Sequence, residues 1–159
     1  MLLEDVLHVF EALERAGVRY AVFGGLAMAA HGFDRATRDL DLFLPPDEVN
    51  VQRLKDALHE AFDDPDVEGI HASDLAGAYP AIRYAPPNVD YTIDLVSRLG
   101  DAFAFEDLDV ERVSAASVTI NVVSPETLFR MKRNTIRLRD RDDAMRLARA
   151  FGFSNEEDA

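Results

Sequence analysis

Two carboxylates one residue apart inside an apolar run are the first chemistry this sequence offers: Asp39-Leu40-Asp41. In an extended strand alternate side chains share a face. Asp39, Asp41 and Phe43 therefore project one way, and Leu40, Leu42 and Leu44 the other. Hard oxygen ligands converging in this manner suit Mg²⁺ or Mn²⁺, with substrate phosphates completing the shell. A carboxylate from another strand would admit a second cation about 4 Å away, as in-line phosphoryl and nucleotidyl transfer often uses. Asp94, in the middle of Tyr91-Thr92-Ile93-Asp94-Leu95, is the best candidate for that third acid. Asp90, earlier on the same face, is the second.

An isolated Asp-x-Asp also reads as a solvated strand face. Here the leucines on the opposite face and the upstream Gly24-Gly25 favour a site. Gly24-Gly25 ends the apolar run Val18 to Phe23 and permits backbone shapes and close approaches that a Cβ forbids. A strand, Gly-Gly and the start of a helix together make an anion site. Further along, Lys132 is one of two lysines in a chain with fifteen arginines. It reads either as an exposed helix lysine or as a compact point contact to phosphate. Arg137 reads as a similar contact or as a residue solvating a helix end. Asp140 and Asp143, three apart, fit an N-cap and its N3 partner, with catalysis as the other reading. Arg35 and Thr37 order the loop before the acidic strand or touch substrate. His31 reads as a helix-end residue.

These groups need a scaffold, and the sequence supplies one. Leu2 to Ala16 is helical in period and Gly17 suits its left-handed end. Val18 to Phe23 is a strand, Leu26 to His31 a short helix and Asp39 to Leu44 a strand stopped by Pro45-Pro46. Asp47 caps a helix over Glu48 to Phe62. Asp63 to Pro80 reads as an acidic surface loop with room for one helical turn. Ala81 to Tyr84 and Val89 to Val96 are strands and Leu99 to Glu106 a loop. Asp109 to Val113 and Ser117 to Val123 are strands. Ser124-Pro125-Glu126 starts a helix to about Thr135, and a last helix runs from near Asp140 to Phe151. The chain reads as one domain over 1–153, with an acidic, frayed tail at 154–159.

The 159 residues are 48% hydrophobic and 30% charged, which is globular rather than disordered. No cysteine is present, so thiolate metal sites and cysteine nucleophiles are excluded. The four histidines have no zinc-helix spacing. Glu4 and Asp5 stand where a signal peptide needs basic residues, and no apolar run has membrane-span length. A cytoplasmic protein with no membrane partner is the expectation. The formal charge of -13 repels bulk nucleic acid. Yet 8 of the 17 basic residues fall between 130 and 149 beside only three acids, so an anionic ligand should be met there.

Val22-Phe23-Gly24-Gly25, then Arg35-x-Thr37-Arg38-Asp39-Leu40-Asp41-Leu42, then Ile93-Asp94-Leu95, resembles the signature of the DNA polymerase β-like nucleotidyltransferase superfamily. The Arg-x-Thr-x-Asp-x-Asp form is most similar to the small prokaryotic AbiEii-type toxins and minimal nucleotidyltransferases. Leu128-x-x-x-Lys132 followed by Arg137, Asp140 and Asp143 resembles the downstream AbiEii pattern. The resemblance spans roughly 18 to 145. It implies an α/β (α+β) fold, a polymerase β-like palm with a mixed β-sheet flanked by helices. It implies Asp39, Asp41 and Asp94 as metal ligands, with Asp94 also the base toward the acceptor and Lys132 in the catalytic set. Gly24, Gly25, Thr37, Arg38, Lys132 and Arg137 would face the nucleotide. The chain is short beside longer AbiEii-type toxins, and no extensive C-terminal helical domain is expected.

The expected activity is a Mg²⁺- or Mn²⁺-dependent transfer of a nucleoside monophosphate from an NTP, ATP among them. The acceptor is a hydroxyl or phosphate, and pyrophosphate is released. Acceptors compatible with the resemblance are tRNA, a partner protein or a small molecule, and a cognate toxin or antitoxin is an expected partner. The alternatives are a non-catalytic nucleotide-binding or antitoxin-like module of the same fold, and a structural cation site without nucleotide.

Overall fold

The computed structural model describes residues 1–78, 80–99, 103–133 and 137–154. The chain opens with a 3₁₀ turn, Leu3–Val6, that passes into α1 (Leu7–Ala16). Gly17 ends the helix at φ 68°, a backbone shape glycine adopts without strain. β1 (Ala21–Phe23) is shorter than the apolar run. Asn50 explains this: its Oδ1 accepts from Arg19 N at 2.7 Å and its Nδ2 donates to Arg19 O at 2.9 Å. Those groups then have no need of a ladder.

α2 (Gly24–Ala30) begins at the first glycine itself, and β2 (Asp39–Phe43) follows the connector. α3 (Glu48–Phe62) has the expected bounds, with Asp47 accepting from Asn50 N. The predicted surface loop after it is a correction. Pro65–Gly69 forms a 3₁₀ turn and α4 (Ala72–Leu75) a short helix, and Val67, Ile70 and Leu75 are buried. Three apolar anchors in eighteen residues lack a period but still bury surface. Ser97 Oγ donates to Leu75 O and ties this segment to the sheet.

β3 (Ala81–Tyr84) is as expected, whereas β4 (Thr92–Val96) starts three residues late. Asn88 turns the chain at φ 64°, and Asp90 is left exposed outside the strand. Asp90 is thereby excluded from the carboxylate face that register builds. β5 (Arg98–Leu99) and β6 (Phe103–Ala104) form a small ribbon within the predicted loop, followed by a 3₁₀ turn at Phe105–Asp107. β7 (Val110–Ala115) and β8 (Val118–Val123) make a hairpin. α5 (Pro125–Arg133) starts where expected, with Ser124 Oγ accepting from Thr127 N at 3.1 Å. Its predicted end at Thr135 and the frayed tail after Ser154 lie outside the described residues. α6 runs Leu138–Phe151 and closes at Gly152.

Six strands form one mixed sheet in the order β3-β4-β2-β1-β8-β7. β2 and β4 are parallel, as are β1 and β8; the remaining neighbours are antiparallel. α1 packs on α3, and α5 packs on α6. Leu40, Leu42, Ile93 and Leu95 are fully buried on one side of the central strands. Burial of that face fixes the register, and a slip of one residue would put every leucine in water. The acids on the opposite face are therefore placed by the leucines between them. No described helix is long and apolar enough to cross a membrane.

Candidate active site

The parallel β2–β4 ladder makes Asp41 and Asp94 direct neighbours, and Asp39 the neighbour of Thr92. Three carboxylates thus share one face within two adjacent strands. Thr92 Oγ1 donates to Asp39 Oδ1 at 2.7 Å. On the next strand Arg83 forks Asp94, with Nε to Oδ1 at 2.9 Å and Nη2 to Oδ2 at 3.2 Å. Beyond Asp41 the face is closed by Phe43, whose ring meets Phe23 edge-on at 5.7 Å.

Asp41 is the strained member of the set. Burial, then the charges of Asp94 and Asp39, push its carboxyl up to about 7, against lesser help from Lys132 and Arg137. Gly24 lies against it at φ 70°, and a Cβ there would collide with Asp41 Oδ2. Gly25 is pressed on Thr37, which exchanges hydrogen bonds of 3.3 Å with the Asp39 backbone. The glycine pair is thus a close-approach element against the acidic strand, and Thr37 is a brace for that strand.

A divalent cation fits this donor set. Three carboxylates share one face of a rigid ladder, burial and then its anionic neighbours hold Asp41 back from ionising, and Gly24 approaches it with no Cβ in the way. Among the described residues, no three or more acidic or imidazole side chains are grouped closely enough to hold a metal ion as they stand. Arg83 and Thr92 each hydrogen-bond one of the three acids, Asp94 and Asp39.

The approach to Asp41 is a cleft of about 280 Å³. Its lining combines the polar or small residues Gly24, Asp41, Lys132, Arg137 and Asp140 with the apolar Phe23, Leu99, Leu128 and Met131. A nucleotide combines the same two characters in its phosphates and its base. Around Asp39, at the start of β2, a hollow of about 370 Å³ is lined by Thr37, Arg38, Asp39 and Arg139. The sequence-predicted nucleotide contacts are therefore split. Gly24, Lys132 and Arg137 line the first cleft, while Thr37 and Arg38 line the second.

Lys132 is not an exposed helix lysine; it is 4% exposed. Its Nζ donates to Asp143 Oδ2 at 2.8 Å and to Asp140 Oδ1 at 3.1 Å. Arg35 reaches the same Asp143 with Nε and Nη2, each at 3.2 Å. Burial opposes the Asp143 charge, but hydrogen bonds from Arg35 and Lys132 outweigh it and hold its carboxyl below the usual carboxylate range. Capping is thus the wrong reading of Asp143. The helix starts at Leu138, Arg141 N bonds Arg137 O, and Asp143 sits one and a half turns in at 1% exposure. Asp140 keeps a first-turn position. His31 does stand at a helix end, its Nε2 2.7 Å from Val123 O.

Sequence reading missed Arg83 and the part Arg35 plays. The signal for Arg83 was a single arginine in a four-residue strand opposite an acid across a hairpin. The Arg35 contact crosses 108 positions and leaves no local trace.

A family model described as "Nucleotidyl transferase AbiEii toxin, Type IV TA system" matches residues 11–149. No curated protein matches the chain, and no solved structure does.

Proposed function

This chain belongs to the AbiEii nucleotidyl transferase family, and we propose that it moves a nucleoside monophosphate from an NTP to an acceptor hydroxyl or phosphate as the toxin of a type IV toxin–antitoxin pair. A nucleotidyltransferase activity follows from the family. The observation that carries the finer reading is the Asp41–Asp94 register, with Gly24 set against Asp41.

The triphosphate enters the cleft between Gly24 and Lys132, with the base along Leu128 and Met131. The acceptor oxygen attacks the α-phosphorus. The bond from that phosphorus to the bridging oxygen breaks, and pyrophosphate leaves with the electron pair. Where the acceptor is a hydroxyl, Asp94 takes its proton. Asp39, Asp41 and Asp94 would hold Mg²⁺ or Mn²⁺, which supplies charge neutralisation at the phosphates. The protein's own share is positioning. Lys132 holds α6 through Asp140 and Asp143 and lends positive charge to the cleft wall. Arg38 and Arg139 beside Asp39 favour an anionic acceptor, of which a tRNA end is the best example. A cognate antitoxin completes the system.

Labelled NTPs supplied to a lysate, with mass spectrometry of every class that gains a nucleotide, test the reading. Wild type should label one class and release pyrophosphate, and Asp41→Ala should do neither. Equal turnover in both would sink the assignment.

A further inference from the structure

Asp94 does not stand open to a cation. Arg83 is its register partner on β3, the edge strand, and the guanidinium holds both carboxylate oxygens at 2.9 and 3.2 Å. The Arg83 side chain is 66% exposed, while Asp94 is 20% exposed. An ion pair with so wet a partner adds little to folding. The β3–β4 ladder is already fixed by four residue pairs, and Tyr84 anchors the strand by donating to Asp64 Oδ2 at 2.8 Å. Stability is thus a poor account of the fork. Chemistry is a better one. A bidentate guanidinium consumes both oxygens that a cation would use, and it does so with a matched plane and a positive charge. Asp39 and Asp41 also favour that charge. One arginine therefore stands as counter-ion to all three acids.

We propose that Arg83 is a built-in counter-cation that closes Asp94 until a divalent cation displaces it. This rests on the reading of Asp39, Asp41 and Asp94 as a cation site. Arg83 acts through Asp94 and is a positioning residue, not a catalytic one. Its long exposed arm leaves without disturbing the backbone. Competition from Arg83 makes the acids alone a weak site. A cation arriving with triphosphate brings further oxygen ligands and wins, so at a given cation concentration the lock leaves the donor-bound chain loaded and the donor-free chain empty. Loading is thereby confined to the state that carries donor.

Titration of the full chain with Mn²⁺, followed by electron paramagnetic resonance in the absence of nucleotide, tests this directly. Arg83→Ala should bind Mn²⁺ about 5-fold more tightly than wild type, the scale of one exposed ion pair. Arg83→Lys keeps the charge but loses the fork, and should recover at least half of that gain on a logarithmic scale. Mn²⁺ bound equally by all three chains, with Asp41→Ala abolishing it, overturns the lock and leaves the cation site standing. Arg83→Lys binding like wild type while Arg83→Ala binds more tightly also overturns the lock, because field alone then accounts for the gain. Failure of Mn²⁺ to bind any chain, with or without a non-hydrolysable NTP analogue, overturns the cation site and the lock together.

Discussion

Lys132 of α5 and Asp143 of α6 meet at 2.8 Å with almost no solvent access, and Arg35 closes on the same carboxylate from the connector before β2. One buried acid thus joins the two C-terminal helices to the strand that carries Asp39 and Asp41. Removing one partner of such a cluster leaves charge buried without compensation. Asp143→Ala should cost about 3 kcal/mol or more, whereas Asp140→Ala, whose side chain is 25% exposed, should cost less than about 1 kcal/mol. Urea unfolding of the two variants beside wild type measures both. Equal losses would show that Asp143 is not the joint.

Gly24→Ala should lose activity by at least about 100-fold, because its Cβ displaces the Asp41 carboxylate. The fold should lose about 1–3 kcal/mol for a non-glycine residue at positive φ. Gly17→Ala is the matched control. It has φ 68° with nothing within 4 Å of the added carbon. It should lose similar stability while keeping kcat per folded molecule, as pyrophosphate release and circular dichroism together will show.

The Asp41 carboxyl is pushed up to about 7 from an ordinary value of 3.8. Between those values the folded chain holds a proton that the unfolded chain has lost, so folding stability falls as pH rises. In EDTA the wild-type urea midpoint should therefore drop between pH 5 and pH 7 and level off above. Asp143 has the opposite sign: its depressed carboxyl stabilises above the usual carboxylate range and that support is lost in strong acid. Asp41→Asn should flatten the neutral slope and leave the acid limb. A slope unchanged by that substitution would mean another group carries it.

Ligand linkage separates donor binding from simple cation binding. Mg²⁺ with an NTP should raise Tm above Mg²⁺ alone, and EDTA should abolish the difference. Asp39→Ala should show neither shift in differential scanning fluorimetry.

Ser124→Ala removes the oxygen that accepts from Thr127 N at the start of α5. About 1 kcal/mol of stability should be lost, with KM for NTP unchanged at a temperature where both chains are folded. A raised KM would mean that α5 positions Lys132 less rigidly than its packing on α6 implies.

Legibility in the sequence followed locality. The helix Glu48–Phe62 could be read to its ends because Pro45-Pro46 and Asp47 punctuate it and its stripe is strict. Asp39-x-Asp41 was visible because strand alternation turns spacing into facing. The start of α5 was visible in Ser124-Pro125. What escaped was decided at a distance. Burial of Lys132 depends on which face of α5 meets α6, and an eight-to-three excess of basic residues hides a buried lysine among solvated arginines. The segment 63–80 packs by three anchors without period. Asp90 stood second to Asp94 as the third acid, and the turn at Asn88 leaves it outside the strand.

β1 lies in the middle of the sheet, yet its two neighbours come from opposite ends of the chain: β2 close behind it, and β8 about a hundred residues later. Val22 cannot meet Val122 until about a hundred further residues have been made. Contacts of such long range are slow to form. Lys132 and Asp140, which line the cleft, are made later still. On the ribosome the acids and glycines therefore emerge first and remain without their wall. The cleft beside Asp41 is complete only once the chain has been made through α6.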